Sequence, residues 1–449
     1  MAALTAPATD QSDPAVVTRA WELASRAASQ LALAGGITCD SPDGQVMREL
    51  LLAASRHPEP VAGDTEDLEA QTVSSWAPAP RVNAAGGLMI LAGVPTCADT
   101  LLLEAIQRLA EDPAPWVRFQ VAASLHGLYQ TARPTMWTLA QQFANHEPTS
   151  GVLHALVMGA LGGLRGAEPE QVAKLLVVIY GRTQGDNVHL DEACLSLLAA
   201  IWAGQGTPEA GQALEQAAQQ ELSADPLGQV LHTLRGGLTH GPTEDADPAA
   251  DQVRARSFRL VSQLVTRAHD TLTALEAAWQ TTPSDEDVAR AREAAKVLDV
   301  AMNELYFAAG ANDRESAPAS PPRAPLPVHE RFYREAHDLL DQMAEVQLPS
   351  VTHHLAETLE FFIPLDPRGV FLRLDRAVGQ GGQQGGYQRE RLAVDLIVRL
   401  IRRYLADYRA LLHQDPDCRR ALRHILDTFV AVGWPEARRL TYQLDDICR

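Results

Sequence analysis

The feature that most restricts what this chain can become is an internal repeat. Ala77-Pro78-Ala79-Pro80-Arg81-Val82-Asn83 stands 35 residues before Asp112-Pro113-Ala114-Pro115-Trp116-Val117-Arg118, and the two segments align without a gap. An Ala-rich apolar stretch follows each, through Leu88 and Ile90 in one and through Ala123 and Leu125 in the other. A third copy begins at Glu147-Pro148, and a fourth, more diverged, runs Asp186-Asn187-Val188. Val82, Val117, Val152 and Val188 are thus spaced by 35, 35 and 36 residues, the length of one helix–turn–helix unit.

Partner helices fall between these valines, at about 98–111, 135–145, 168–181 and 208–221. Their apolar residues recur at helical spacing, as in Leu102, Ile106 and Leu109, and several open with Pro or Asp near the first turn. A hairpin of this kind cannot bury its apolar face alone, so its neighbours complete the core and the array stacks. The pattern Asp112-Pro113-x-x-x-Val117-Arg118 resembles the start of the second helix in HEAT repeats. There an Asp in the inter-helix turn and an Arg six residues later join neighbouring repeats by hydrogen bonds. The resemblance covers roughly residues 77–222 and implies that Asp112 and Arg118 are repeat-stacking residues. The copies at 147 and 186 carry Leu153 and the stretch 188–190 where the Arg belongs, which predicts an interrupted ladder.

Composition agrees with helices. Apolar residues make up 46% of the 449, but aromatics only 5%, which suits packing through Ala, Leu and Val better than a sheet rich in Tyr, Thr and Ile. A net charge of −19 argues against binding DNA or an anionic membrane with the whole surface. The sign is uneven: residues 329–449 hold 17 Arg against 18 acidic residues, a net of −1, so −18 lies in the first 328. A polyanion site therefore belongs in the C-terminal part. All but two of the 38 basic residues are arginine, the lysines being Lys174 and Lys296, and Ala is very frequent. That usage points to a GC-rich bacterial genome. Cys39, Cys97, Cys194, Cys418 and Cys448 are odd in number and contain no C-x-x-C pair, so the sequence predicts neither a disulfide framework nor a zinc knuckle, and a reduced, cytoplasmic setting. No basic, apolar leader and no 18-residue apolar run is present, so no export signal, anchor or membrane association is expected.

The predicted organisation is all-α. Helices and a loop occupy 1–76, and HEAT-like helical-hairpin repeats occupy 77–235. A loop at 236–250 ends the stack; a helical hairpin follows at 251–309, a Pro-rich linker at 310–328, and a C-terminal helical module at 329–449. In that module Ile363 ends one helix, and Asp366-Pro367 caps and opens the next. The apolar run 358–371 reads as core. A helix over about 389–413 places Ala393, Ile397, Leu400, Tyr404, Tyr408 and Leu411 on one stripe.

Three groupings carry candidate chemistry. The glycine-rich loop 379–387 opens the 389–413 helix, and a helix N-terminus favours an anion. It lacks G-x-x-x-x-G-K-[ST], so P-loop nucleotide hydrolysis is excluded there. Arg389, Arg391, Arg399, Arg402 and Arg403 are the candidate anion or nucleic-acid contacts, set against interspersed acids such as Asp395 and Asp407 that read as a salt-bridged face. His353, His354 and Glu357 fall within one helical turn but have no second ligand pair at metal spacing, so the sequence assigns no metal. No G-x-S-x-G, H-E-x-x-H or kinase signature set occurs, so no enzyme and no cofactor is expected.

The stretch from about His353 to the end, with Gly385-Gly386-Tyr387 and Gly433-Trp434-Pro435, is similar to the C-terminal ends of very large bacterial proteins of uncertain function. Some of these carry an upstream ATPase region, and some are thought to act in phage defence. That resemblance implies a sensor or adaptor part working with an effector on another chain. The function expected from the sequence is a non-enzymatic scaffold that binds a protein partner; the alternative is a nucleic-acid or nucleotide-sensing subunit that uses the glycine loop and the arginines.

Overall fold

The structure is a computed structural model that describes residues 13–35, 39–61, 79–219, 223–239, 247–278, 283–314, 327–346, 348–379, 391–431, 433–434 and 438–440. Regular structure among them is entirely helical. Packing divides the chain into two compact units, Met1–Ile201 with Thr207–Gly211, and Trp202–Gly206 with Gln212–Arg449.

The first unit holds α1 (Pro14–Ala34), α2 (Pro42–Ala54), α3 (Pro80–Ala92), α4 (Thr100–Ala110), α5 (Pro115–Ser124), α6 (Arg133–His146), α7 (Ser150–Ala155), α8 (Gly162–Leu164) and α9 (Pro169–Thr183). The division between the units falls within α10 (Val188–Gln205) and α11 (Pro208–Gln219). Proline opens most of the unit's helices, where its missing N–H has no intrahelical partner to lose. Asp13, Ser41 and Asp99 cap α1, α2 and α4 by accepting from the N–H groups of Ala15, Gly44 and Leu102.

One row of helices, α3, α5 and α7, packs in sequence, with α1 and α2 against its first member and α4 between α3 and α5. These row helices are apolar nearly all round, as helices covered on both sides must be. Val82, Val117 and Val152 are buried in it. The fourth valine is a correction: Val188 is 40% exposed, and Leu190 takes the core position, so the last copy slips by two residues. Close approach in the row depends on small residues. A Cβ on Gly159, within the π-helical stretch Leu156–Leu161 that joins α7 to α8, would lie 2.3 Å from the Ala123 carbonyl oxygen.

The cysteine reading is corrected here. Cys39, in the turn before α2, is disulfide-bonded to Cys97, in the loop before α4, with Cα atoms 5.3 Å apart. Fifty-eight residues separate the two, a distance at which sequence spacing gives no sign of a partner. Cys194 and Cys418 are buried free thiols, and Cys448 lies outside the described residues.

The second unit contains α12 (Ala224–Leu238), α13 (Pro248–Ala278), α14 (Asp285–Ala308), a 3₁₀ turn (Ala311–Arg314), α15 (Pro327–Glu335), α16 (His337–Glu345), α17 (Pro349–Phe362), α18 (Pro367–Val378), α19 (Arg391–Asp407), α20 (Arg409–Gln414) and α21 (Pro416–Ala431). Ser284 caps α14, and Asp366 caps α18 by accepting from the N–H of Gly369. Two local expectations change. Gly236 and Gly237 belong to α12 rather than to a loop, because α13 approaches so closely that a Cβ on Gly237 would meet the Ser257 hydroxyl at 2.1 Å. The predicted 389–413 helix is interrupted at Tyr408 (φ −124°, ψ 28°), which turns Leu412 rather than Leu411 into the core.

Helices α12, α13 and α14 pack on one another, α14 packs on α17, and α17 packs on α16, α18 and α19. Phe362, Ile363, Val370 and Phe371 are fully buried, so the run 358–371 is core and not a docking patch. No described helix is long and apolar enough to cross a membrane.

Gly159→Ala is expected to destabilise the protein by about 1–3 kcal/mol, the usual range for overpacking, whereas Gly181→Ala, with open space around it, is expected to be neutral or stabilising. Urea unfolding of the two variants checks the contrast.

Candidate functional site

The repeat-stacking residues sit in a buried polar ladder along the first row. Arg118, in the first turn of α5, donates from Nε and Nη2 to the two carboxylate oxygens of Glu147, both at 2.8 Å, and from Nη1 to the Asp112 carbonyl at 2.7 Å. Asp112 in turn receives two bonds from Arg81, at 2.8 and 3.0 Å. Arg81 is saturated: its remaining N–H groups donate to the carbonyls of His57, Pro58 and Pro60 at 2.6–2.7 Å. Arg118 therefore ties the turn before α5 to the turn before α7, and Arg81 ties the turn before α5 to residues 57–60, which follow α2. Asp112 and Glu147, 35 residues apart, also play the same local part, accepting from the N–H groups of Ala114 and Thr149. A further link comes from Arg182 at the end of α9, which donates to the carbonyls of Ala144 and Glu147.

Arg81 and Glu147 are the stacking residues that sequence reasoning missed. In the gap-free alignment Arg81 falls opposite Trp116 and Arg118 opposite Asn83, since the two arginines are 37 residues apart rather than 35. Asn83 turns instead to α1, where its amide donates to the Glu22 carbonyl and the Ser25 hydroxyl. An arginine reaches far enough to make the same rung from a position two residues away, and a fixed-register comparison cannot register that.

The arginines of α19 have acidic partners. Arg399 donates to Glu360 of α17 at 3.0 Å, and Arg403 stands 3.8 Å from both Glu360 and Asp407. Arg402 is exposed. Arg391 opens α19, and Arg389 lies outside the described residues, as do 380–387 of the glycine-rich loop. The described part of this face is thus a salt-bridged surface in which Glu360 neutralises two of the five candidate arginines.

One helical turn away on α17, Glu357 stands between two imidazoles. Its carboxylate lies 3.6 Å from His353 Nε2 and 3.4 Å from His354 Nδ1. The polar contact with Glu357 holds His354 above the usual imidazole pKa against the opposing effect of burial, and the charges of Glu357 and Asp299 on α14 add to it. Glu357 is lowered in turn, first by His354. The Tyr306 ring packs on His354 at 5.7 Å. The potential ligand atoms of His353, His354 and Glu357 all lie within 4.8 Å of one another.

A cavity of about 500 Å³ opens between α11 and α13. Glu215 and Gln219 line one wall; Arg259, Ser262, Gln263, Thr266, Arg267 and Asp270 line the other. Arg259 reaches Glu215 at 3.2 Å, and the Thr266 hydroxyl accepts from Gln342 Nε2 at 2.8 Å. The groove is open and its lining residues carry both signs of charge, unlike the enclosed sites that hold small molecules. The two walls are about 45 residues apart and each alone reads as a solvated helix face, so the pairing is not legible in the sequence.

No protein-family model matches the chain, and no curated protein matches it. Among solved structures, one match is the karyopherin Kap121p bound to the extreme C-terminus of the protein phosphatase Cdc14p. It is 14% identical, with a TM-score of 0.31, and the match covers 98% of this chain and 50% of that one. This chain therefore spans half the length of that structure. The comparisons give no support to the resemblance of 353–449 to the ends of large bacterial proteins.

Removal of one ladder partner is expected to be costly, because it leaves the other charge buried. Arg118→Ala strands Glu147, whose side chain is 2% exposed, and is predicted to destabilise by about 3–5 kcal/mol. Arg118→Met combined with Glu147→Leu is predicted to recover most of that loss, as read by chemical denaturation.

Proposed function

We propose that this chain is a non-enzymatic adaptor that binds a protein partner within a larger bacterial assembly. The observation that carries the reading is the groove between α11 and α13, whose lining mixes Arg259, Arg267, Glu215 and Asp270 with amides and hydroxyls. Such a surface offers paired charges and hydrogen bonds to a peptide backbone with polar side chains, and electrostatic complementarity of that kind sets register and specificity. The paired state of Arg399 and Arg403 weighs against the nucleic-acid alternative, since phosphate binding needs uncommitted cations. The bacterial part of the proposal rests on arginine having displaced lysine almost completely.

The test places a photo-crosslinking amino acid at Ser262 or Gln263 in the groove and, as a control, at Lys174 on α9, in the full chain in its own host. One discrete protein adduct is expected from Ser262 and Gln263 and none from Lys174, with the yield falling at least about tenfold when Arg267→Glu is added. Equal adducts at all three positions, or adducts to nucleic acid, would overturn the proposal.

A further inference from the structure

The His353–His354–Glu357 cluster is not accounted for by an ordinary histidine–carboxylate pair. A hydrogen bond between an imidazole N–H and a carboxylate closes to about 2.7–2.9 Å. Here both imidazoles stand off, at 3.6 and 3.4 Å. One ligand atom from each of the three residues lies within 4.8 Å of the others, close to the span that a single ion with metal–nitrogen and metal–oxygen bonds of about 2.0–2.1 Å draws together. Helix geometry produces the convergence: Glu357 is four residues from His353 and three from His354, so its carboxylate reaches both. The rings are tilted by 53° with centroids 5.4 Å apart, so they do not stack on one another.

A second observation points the same way. Buried polar atoms in folded proteins nearly always have a hydrogen-bond partner. Among the described residues, the buried side-chain atoms that lack one include His353 Nδ1 and His354 Nδ1. His354 Nδ1 is one of the cluster's potential ligand atoms. Asp299 acts on His354 from α14, which packs directly on α17. The surrounding charge also suits a cation. The charges of Glu357 and Asp299 act at His354, and the nearby Arg399 and Arg403 are engaged by Glu360.

We propose that His353, His354 and Glu357 bind a divalent transition-metal ion of the zinc class, with water completing the coordination and Asp299 adding negative charge nearby. Nitrogen and carboxylate ligands in this number suit Zn²⁺ or Co²⁺ better than Mg²⁺ or Ca²⁺, which take oxygen ligands almost exclusively.

The test is a titration of the untagged, metal-stripped full chain with Zn²⁺ against a chromophoric chelator, and with Co²⁺ monitored by visible absorption. One equivalent of Zn²⁺ and the intense absorption of four-coordinate Co²⁺ are expected. Glu357→Gln, which keeps size and helix propensity, is expected to abolish both while leaving the circular dichroism spectrum unchanged. Asp299→Asn, which removes a charge near His354, is expected to weaken binding about two- to fivefold. Absence of stoichiometric binding to the folded chain, or binding that survives Glu357→Gln and His354→Ala undiminished, would overturn the assignment.

Discussion

The first unit depends on a small set of buried arginine–carboxylate bonds. A row of helices made apolar on nearly every side has no polar surface of its own with which to fix its register. Alanine and glycine faces slide past one another at little cost. The rungs Arg81–Asp112 and Arg118–Glu147 supply the missing register, because each is bidentate and each arginine also binds carbonyls of a second turn, residues 57–60 for Arg81 and Asp112 for Arg118. Burial makes the arrangement all-or-none: a saturated guanidinium is stable there, and a carboxylate left without one is not. The row also packs so closely that a Cβ on Gly159 would meet the Ala123 backbone.

The helical character of the chain was legible, and so were many element boundaries. The 35-residue period located the row valines, and Asp366-Pro367 marked the start of α18, because a cap and an N-terminal proline are local devices that sequence records directly. The period failed where a long side chain could reach across two positions, as with Arg81, and where the last copy slipped from Val188 to Leu190. It failed also for Gly236 and Gly237, which look like a loop in sequence but are helical because α13 needs the space.

Long-range pairings were illegible for a different reason. The Cys39–Cys97 bond, the Asp299–His354 neighbourhood and the two walls of the groove each join segments that have no shared pattern. His353 and Glu357 could be seen to share a helix face, but nothing in the sequence revealed that a carboxylate on another helix acts on the same site. The acidic partners of Arg399 and Arg403 were similarly hidden, since Glu360 lies on a different helix from both.

If the ladder makes the hairpins of the first unit a single cooperative body, native-state hydrogen exchange of the Arg81→Ala variant will show it. Protection in α3, α5 and α7 is expected to fall together to one common free energy, because losing the first rung releases the register of the whole row. Loss of protection confined to α3 and the residues around His57, with α5 and α7 unchanged, would contradict it.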